Sequence, residues 1–447
     1  MNQRFVQYLP NFISIRLKCR QSLQKIIGNT SWLFFDQIFR MFVNLFVMTW
    51  VARYLGPKQF GIWNYALAFV GVFSSFVSFG LTGIVVRNIV RDPACKDKTL
   101  GSVFMLRVFG GILNLMLTIG VISIMHPDDN LTRWLVGIIA VGVIFQSFDT
   151  IDLWFQSQVQ SKYSIYANIV AFLIISIVKV ILIINKASLI SFACASCFEI
   201  VIGAIALIIF YQKNGDSIKT WIYSLTHAKT LLNESWPIII SSISVLTHGY
   251  IDQIMLGEMI GASELGQYSA ALRIIAIFGF VPTLLVSSLA PAITKAKLNG
   301  EDLYYLRLVN LYRLMFFCFL FVSVPIFFFS SYLVGIVYGS AYKESGMLLS
   351  LMATRLFFTN FGVARSLFIT NDNLFKYALV SSVAGLLVNI SVNYFLIQIF
   401  ASKGSILASI ISYSVQIFII DIFYIKTRKN VRSMFKAMVT PWKIQLA

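Results

Sequence analysis

Apolar stretches of about 20 residues recur from Trp32 to Ile425, separated by short polar breaks. Each is long enough to cross about 30 Å of hydrocarbon as a helix. Reading between the breaks predicts twelve spans, near 32–54, 61–83, 101–125, 131–154, 163–184, 187–211, 236–257, 268–293, 308–330, 346–369, 376–400 and 404–425. One soluble core has no use for so many runs, so the pattern predicts an all-α polytopic membrane protein. The first run is also too long for the apolar region of a cleavable signal, and about 30 residues come before it.

The pattern repeats. Asn29, Ser31 and Trp32 recur as Asn233, Ser235 and Trp236, and LGPKQFGIWNYALA (Leu55 to Ala68) recurs as IGASELGQYSAALR (Ile260 to Arg273). That register sets Gly56 on Gly261, Gly61 on Gly266, Ala66 on Ala271 and Leu67 on Leu272. Two homologous six-helix lobes are expected: an N-lobe over 31–211 and a C-lobe over 236–425. A basic segment 1–30 precedes them, a linker 212–235 joins them, and a basic tail 426–447 follows. Duplication of this kind is a common ground plan of transporters, with a midplane site between two bundles.

Composition supports the lipid reading. Hydrophobic residues make up 58% of the 447 and charged ones 12%, with mean hydropathy +0.80, against about 25% charged in soluble domains. The net charge of +18 would suggest nucleic acid in a soluble protein, but no soluble domain is predicted to present it. With the N-terminus in the cytoplasm, about 23 Lys and Arg fall on that side and about 6 outside, which places both termini in the cytoplasm. The localisation expected is the inner (plasma) membrane.

No catalytic or metal centre is expected. Cys194 and Cys197 spell C-x-x-C inside an apolar helix with no second ligand pair, and His126, His227 and His248 are scattered. The Gly56 to Gly61 and Gly261 to Gly266 spacings lack the Lys-Ser/Thr of a phosphate loop. All four glycines are expected in outer turns.

Charges inside spans must pair, snorkel or face water. Arg107, Arg313, Asp149, Asp152 and Asp421 lie near cytoplasmic helix ends, where snorkelling or structural pairing explains them. Arg40, Glu199, Arg273 and Arg355 sit deeper, with Lys179 and Arg365 intermediate. Asp36, Arg40 and Asn44 share a helix face, as do Ser241, Ser244, His248 and Asp252; at an offset of 204, Arg40 falls on Ser244 and Asn44 on His248. Ser382, Asn389 and Asn393 add a third polar stripe. Each stripe alone fits a buried hydrogen-bond seam or a hydrated pathway; together they favour a hydrated cleft.

From Ala52 to Leu81, ARYLGPKQFGIWNYALAFVGVFSSFVSFGL resembles the polysaccharide flippases of the multidrug/oligosaccharidyl-lipid/polysaccharide exporter superfamily. IDQIMLGEMIGASELGQYSAALRI, IVYGSAYKESGMLL and NISVNYFLIQIFASKGSILASIISY extend the likeness in order along the chain. The resemblance implies two six-helix lobes around a central cavity and movement of undecaprenyl-pyrophosphate-linked repeat units, of O-antigen, capsule or exopolysaccharide, to the outer leaflet. It also implies cationic side chains for the pyrophosphate, matched here by Arg40 and Arg273; Arg53 matches too but could cap an outer helix end.

Depth alone adds Arg355 and Arg365, and Asn44 and His248 complete the expected substrate-binding set. Asp36, Glu199, Asp252 and Lys179 are expected in coupling or pairing. No cofactor is expected, with sodium or proton coupling open. Expected partners are the lipid-linked oligosaccharide, membrane lipids, and polysaccharide polymerase and assembly proteins, but no nucleic acid. One alternative is a drug or organic-cation antiporter using Glu199 and Asp252. The other is a membrane glycan polymerase or glycosyltransferase, which the short outer connections disfavour.

Overall fold

The computed structural model describes residues 21–214 and 217–443. Among them there are helices, turns and no strand, and ten helical stretches are long and apolar enough to cross a membrane. Lipid offers the backbone no hydrogen-bond partner, so a chain this apolar must satisfy its N–H and C=O groups within helices.

The helices that matter below are α1 (Gln21–Phe73), α2 (Thr82–Arg91), α3 (Lys96–Met125), α4 (Asn130–Phe145), α5 (Thr150–Ser157), α6 (Lys162–Ile184), α7 (Leu189–Lys213) and α8 (Leu225–Met259). They are followed by α9 (Ala262–Phe278), α10 (Phe280–Asn299), α11 (Glu301–Tyr338), α12 (Lys343–Asn371), α13 (Phe375–Ser414) and α14 (Arg428–Val439).

Two of these helices are broken. In α1 the backbone leaves the helix at Gly56 (φ 68, ψ 170), and Pro57 starts the continuation, a position whose missing N–H costs nothing at a helix start. In α13 the break is at Ala401 (φ 50, ψ −132). The second expected span, 61–83, stops earlier than its apolar pattern suggests. After a one-residue interruption at Ser74 its helix resumes over Ser75–Ser78, and left-handed residues Phe79 (φ 45) and Gly80 (φ 60) then turn the chain into the amphipathic α2.

The chain divides into two compact units. Unit 1 holds the described residues up to Met48 together with Phe73–Ile239; unit 2 holds Thr49–Val72 and the described residues from Ile240. Unit 1 packs around Leu81, Val85, Ile89, Leu100 and Val103, with a second cluster at Ile151, Phe155, Leu207 and Tyr211. Unit 2 packs around Tyr312, Met315, Phe361, Phe368, Ile417 and Met434.

The four repeat glycines separate into two kinds. Gly56 and Gly261 (φ 120) are turn glycines, as their spacing predicts. Gly61 and Gly266 are not: both lie inside helices, in α1 and α9, and are needed for backbone approach. A Cβ on Gly61 would lie 1.7 Å from the carbonyl oxygen of Ala262, and one on Gly266 would lie 1.9 Å from that of Pro57. An offset of 205 carries Pro57 to Ala262 and Gly61 to Gly266, so the two contacts are mates under the internal repeat. Both occur within unit 2, where Thr49–Val72 docks against the start of α9. The sequence shows which glycines repeat; only the crossing of two helices distinguishes a turn from a contact.

Candidate functional site

In α8 the four-residue spacing of Ser244, His248 and Asp252 puts them on one buried face, and all three are under 5% exposed. On α13, Ser382, Asn389 and Asn393, at seven- and four-residue spacing, are also buried. The α8 and α13 stripes meet directly. The Asp252 carboxylate accepts from Nδ2 of Asn389 (3.1 Å) and of Asn393 (2.8 Å), from the Tyr268 hydroxyl (3.3 Å) and from Ser409. Asn389 also donates to Ser412 (3.3 Å), whose hydroxyl meets Nε2 of His248 (3.3 Å). The His248 ring stacks on Tyr413 with centroids 4.6 Å apart.

Arg355 of α12 joins this network. Its guanidinium lies 3.8 Å from Asp252, donates to the Tyr413 hydroxyl (3.0 Å) and sits over that ring, with only 12% of the side chain exposed. A buried ion pair needs further hydrogen bonds to offset desolvation, and the two asparagines, Ser409 and Tyr268 supply them to the carboxylate. Oδ1 of Asn393 is buried there without a partner.

Arg273 is held differently. Its guanidinium donates to Oδ1 of Asn64 (3.4 Å) and lies 5.5 Å over the Phe60 ring. Among the described residues no carboxylate makes an ion pair with it. At 1.5 Å per residue, Arg273 is about 17 Å along α9 and Arg355 about 18 Å along α12. Both charges therefore lie two to three turns or more inside apolar helices, away from the helix starts.

Arg365, ten residues beyond Arg355 on α12, is taken up by Asp421. It donates through Nε and Nη2 at 2.8 and 2.6 Å, with 8% and 0% exposure for the two side chains. Tyr377 donates to the same carboxylate (2.6 Å). In unit 1, Arg40 pairs with Asp36 one turn earlier (2.6 Å) and is 39% exposed, while Asn44 is exposed. Lys179 of α6 reaches Glu199 of α7 (3.1 Å). Arg313 donates to Asn310 (3.0 Å), Thr440 (2.7 Å) and the Lys443 carbonyl. Cys194 and Cys197 are free thiols, and no group of three metal-ligating side chains occurs among the described residues.

The structure thus brings together His248, Asp252 and Arg355, and separately Asp36 with Arg40 and Lys179 with Glu199. Sequence reasoning did not single out Asn64, Phe60, Tyr268, Ser409, Ser412 or Tyr413. All but Phe60 are polar, and all six lie within the recurring or family-like segments, so the motifs were visible while the partners were not.

A family profile described as polysaccharide biosynthesis protein matches residues 26–297, and a MatE profile matches residues 237–395. A Shigella flexneri protein named as an O-antigen transporter is 25% identical over 289 residues, covering 61% of this chain and 67% of its own. A Haloferax volcanii protein named as a low-salt glycan biosynthesis flippase is 22% identical over 396 residues, covering 85% and 79%. The fold is similar to that of a solved lipid II flippase, MurJ, in an inward closed conformation. That match has a TM-score of 0.69 and 14% identity, covering 93% of this chain and 92% of the other.

Proposed function

Because the chain belongs to the polysaccharide biosynthesis protein family, as a multi-pass inner-membrane flippase of lipid-linked glycans, we propose that its cargo is an undecaprenyl-pyrophosphate-linked oligosaccharide repeat unit moved from the cytoplasmic to the outer leaflet. The observation that carries this reading is Arg273: a cation within an apolar helical stretch, held by a neutral amide and an aromatic face, with no ion-pair partner among the described residues. Keeping such a charge in a membrane is costly unless water or an anionic ligand meets it. A guanidinium suits pyrophosphate because its charge is fixed and its planar donors match phosphate oxygens.

In this reading Arg273 and Arg355 contact the head group, while the lipid tail stays in the bilayer. Arg40 is a further candidate contact, in unit 1. Two of the ten apolar stretches are divided, at Gly56 and Ala401, which supports twelve crossings and both termini in the cytoplasm. With the inside negative, moving an anion outward is favoured by about 2.3 kcal/mol per charge per 100 mV. That supplies a driving force without ATP. Replacing Arg273 and Arg40 by Ala, singly and together, should strongly lower surface glycan while the protein still accumulates in the membrane; full export by the double variant would defeat the assignment.

A second reading, an ion-coupled antiporter for organic cations, draws on Asp252 and on the MatE match over 237–395. Asp252, Asn389, Asn393 and Ser409 fit a proton or sodium ion, on the evidence of the partnerless Oδ1 of Asn393, and in either reading Asp252 is the proposed coupling group. The antiporter predicts drug sensitivity on gene deletion with normal surface glycan; the flippase predicts the reverse.

A further inference from the structure

Four residues separate helix α14 from the end of the last membrane helix at Phe423. One face is fixed to the protein: Met434 and Ala437 enter the unit 2 core, and buried Asn430 accepts from the Tyr312 hydroxyl (2.9 Å). At 100° per residue the opposite face must carry Arg428, Arg432, Phe435, Lys436 and Val439, and all five are exposed. Phe435 is 48% exposed, Val439 70% and Trp442, just beyond the helix, 71%. Basic and large apolar side chains thus share one outward face.

Water alone does not favour this arrangement. A helix lying in the headgroup layer does: its apolar side chains enter the acyl boundary and its cations meet phosphate. The face continues the lipid-exposed end of the preceding span, where Phe423 is 75% and Ile425 78% exposed. No Asp or Glu follows Asp421 in the sequence. Among the described residues, only Lys429 of the α14 cations makes an ion pair, with Glu301 (2.8 Å); Arg428 bonds the Ile422 carbonyl through Nε, and Arg432 and Lys436 have no ion pair.

We propose that the outward face of α14 is a docking surface for anionic bilayer lipid, with Arg428, Arg432 and Lys436 binding the headgroup phosphates of the leaflet where the last span ends. This goes beyond the transport reading and does not depend on the cargo. Each cation should contribute about fivefold in headgroup affinity, so the face prefers phosphatidylglycerol over phosphatidylcholine and loses that preference at high salt.

The test uses the full chain in nanodiscs containing spin-labelled phosphatidylglycerol or phosphatidylcholine, and reads the fraction of label immobilised. The unsubstituted chain should hold phosphatidylglycerol several-fold better. The triple variant Arg428→Gln/Arg432→Gln/Lys436→Gln, altered only at exposed positions, should lose most of the difference while keeping its melting temperature. Equal retention of the two lipids by the unsubstituted chain, or an unchanged preference in the variant, would overturn the proposal. So would displacement of the label by soluble glycerol phosphate beyond the effect of its ionic strength, since the site would then take free phosphate rather than a bilayer. None of these readouts requires glycan export.

Discussion

Replacing Gly61 by alanine would place a methyl group 1.7 Å from the carbonyl oxygen of Ala262 and 2.9 Å from the amide nitrogen of Gly266. Both atoms are backbone, so no side chain can swing aside. The helices would have to separate by about 1.5 Å to restore an ordinary contact. Overpacking of this kind costs about 1–3 kcal/mol, equivalent to about 5- to 150-fold in any equilibrium between this docked arrangement and one in which Thr49–Val72 leaves α9.

If the proposed transport runs by alternating access it requires such an equilibrium, and the topology expected from the sequence puts this crossing on the outer side. In a cysteine-free background, Ala66→Cys, buried in the same segment, reports separation through its rate of modification by an impermeant maleimide. Gly61→Ala should raise that rate within the stated range, and Gly266→Ala should act alike through Pro57. The two should not add, because they relieve one contact region. Gly249→Ala, whose Cβ would meet nothing within 4 Å, is the control. Labelling of Gly61→Ala at the control rate, with normal export, would refute the view that this backbone contact holds the segment down.

Further outcomes follow from the charged groups. Arg273→Lys keeps the charge but loses the planar fork, and should lower export less than Arg273→Ala, which loses about 10- to 150-fold on the scale of a charge-assisted hydrogen bond; equal export by the two, scored as surface glycan per membrane protein, would contradict phosphate recognition. Arg365→Met should cost about 3–5 kcal/mol by leaving Asp421 buried and unpaired, whereas Arg365→Met/Asp421→Leu should recover most of it; detergent melting curves decide, and loss of export in a stable double variant would show that Arg365 does more than clamp α12. Asp252→Asn should remove the dependence of transport on a sodium or proton gradient in reconstituted vesicles, and a dependence that survives would move coupling elsewhere. Exchanging Lys179→Glu with Glu199→Lys should restore the melting temperature lost in either single change.

The hydrophobic pattern alone determined the solvent of this protein and its helical class. Those depend on local composition and on the length of chain needed to cross lipid, which a reader of the sequence can count. Four-residue spacing likewise determined that His248 shares a face with Asp252, and Asn389 with Asn393, because helix geometry is fixed in advance. Tertiary structure decided which faces meet. It gave Asp252 to Arg355 and two asparagines, gave Arg365 to Asp421, and left Arg273 with an amide and a ring. It also placed Thr49–Val72 with unit 2 and made Gly61 and Gly266 contact glycines. Partner choice depends on how helices distant in sequence cross, and one residue's identity constrains that only through the shape and charge of what lies opposite.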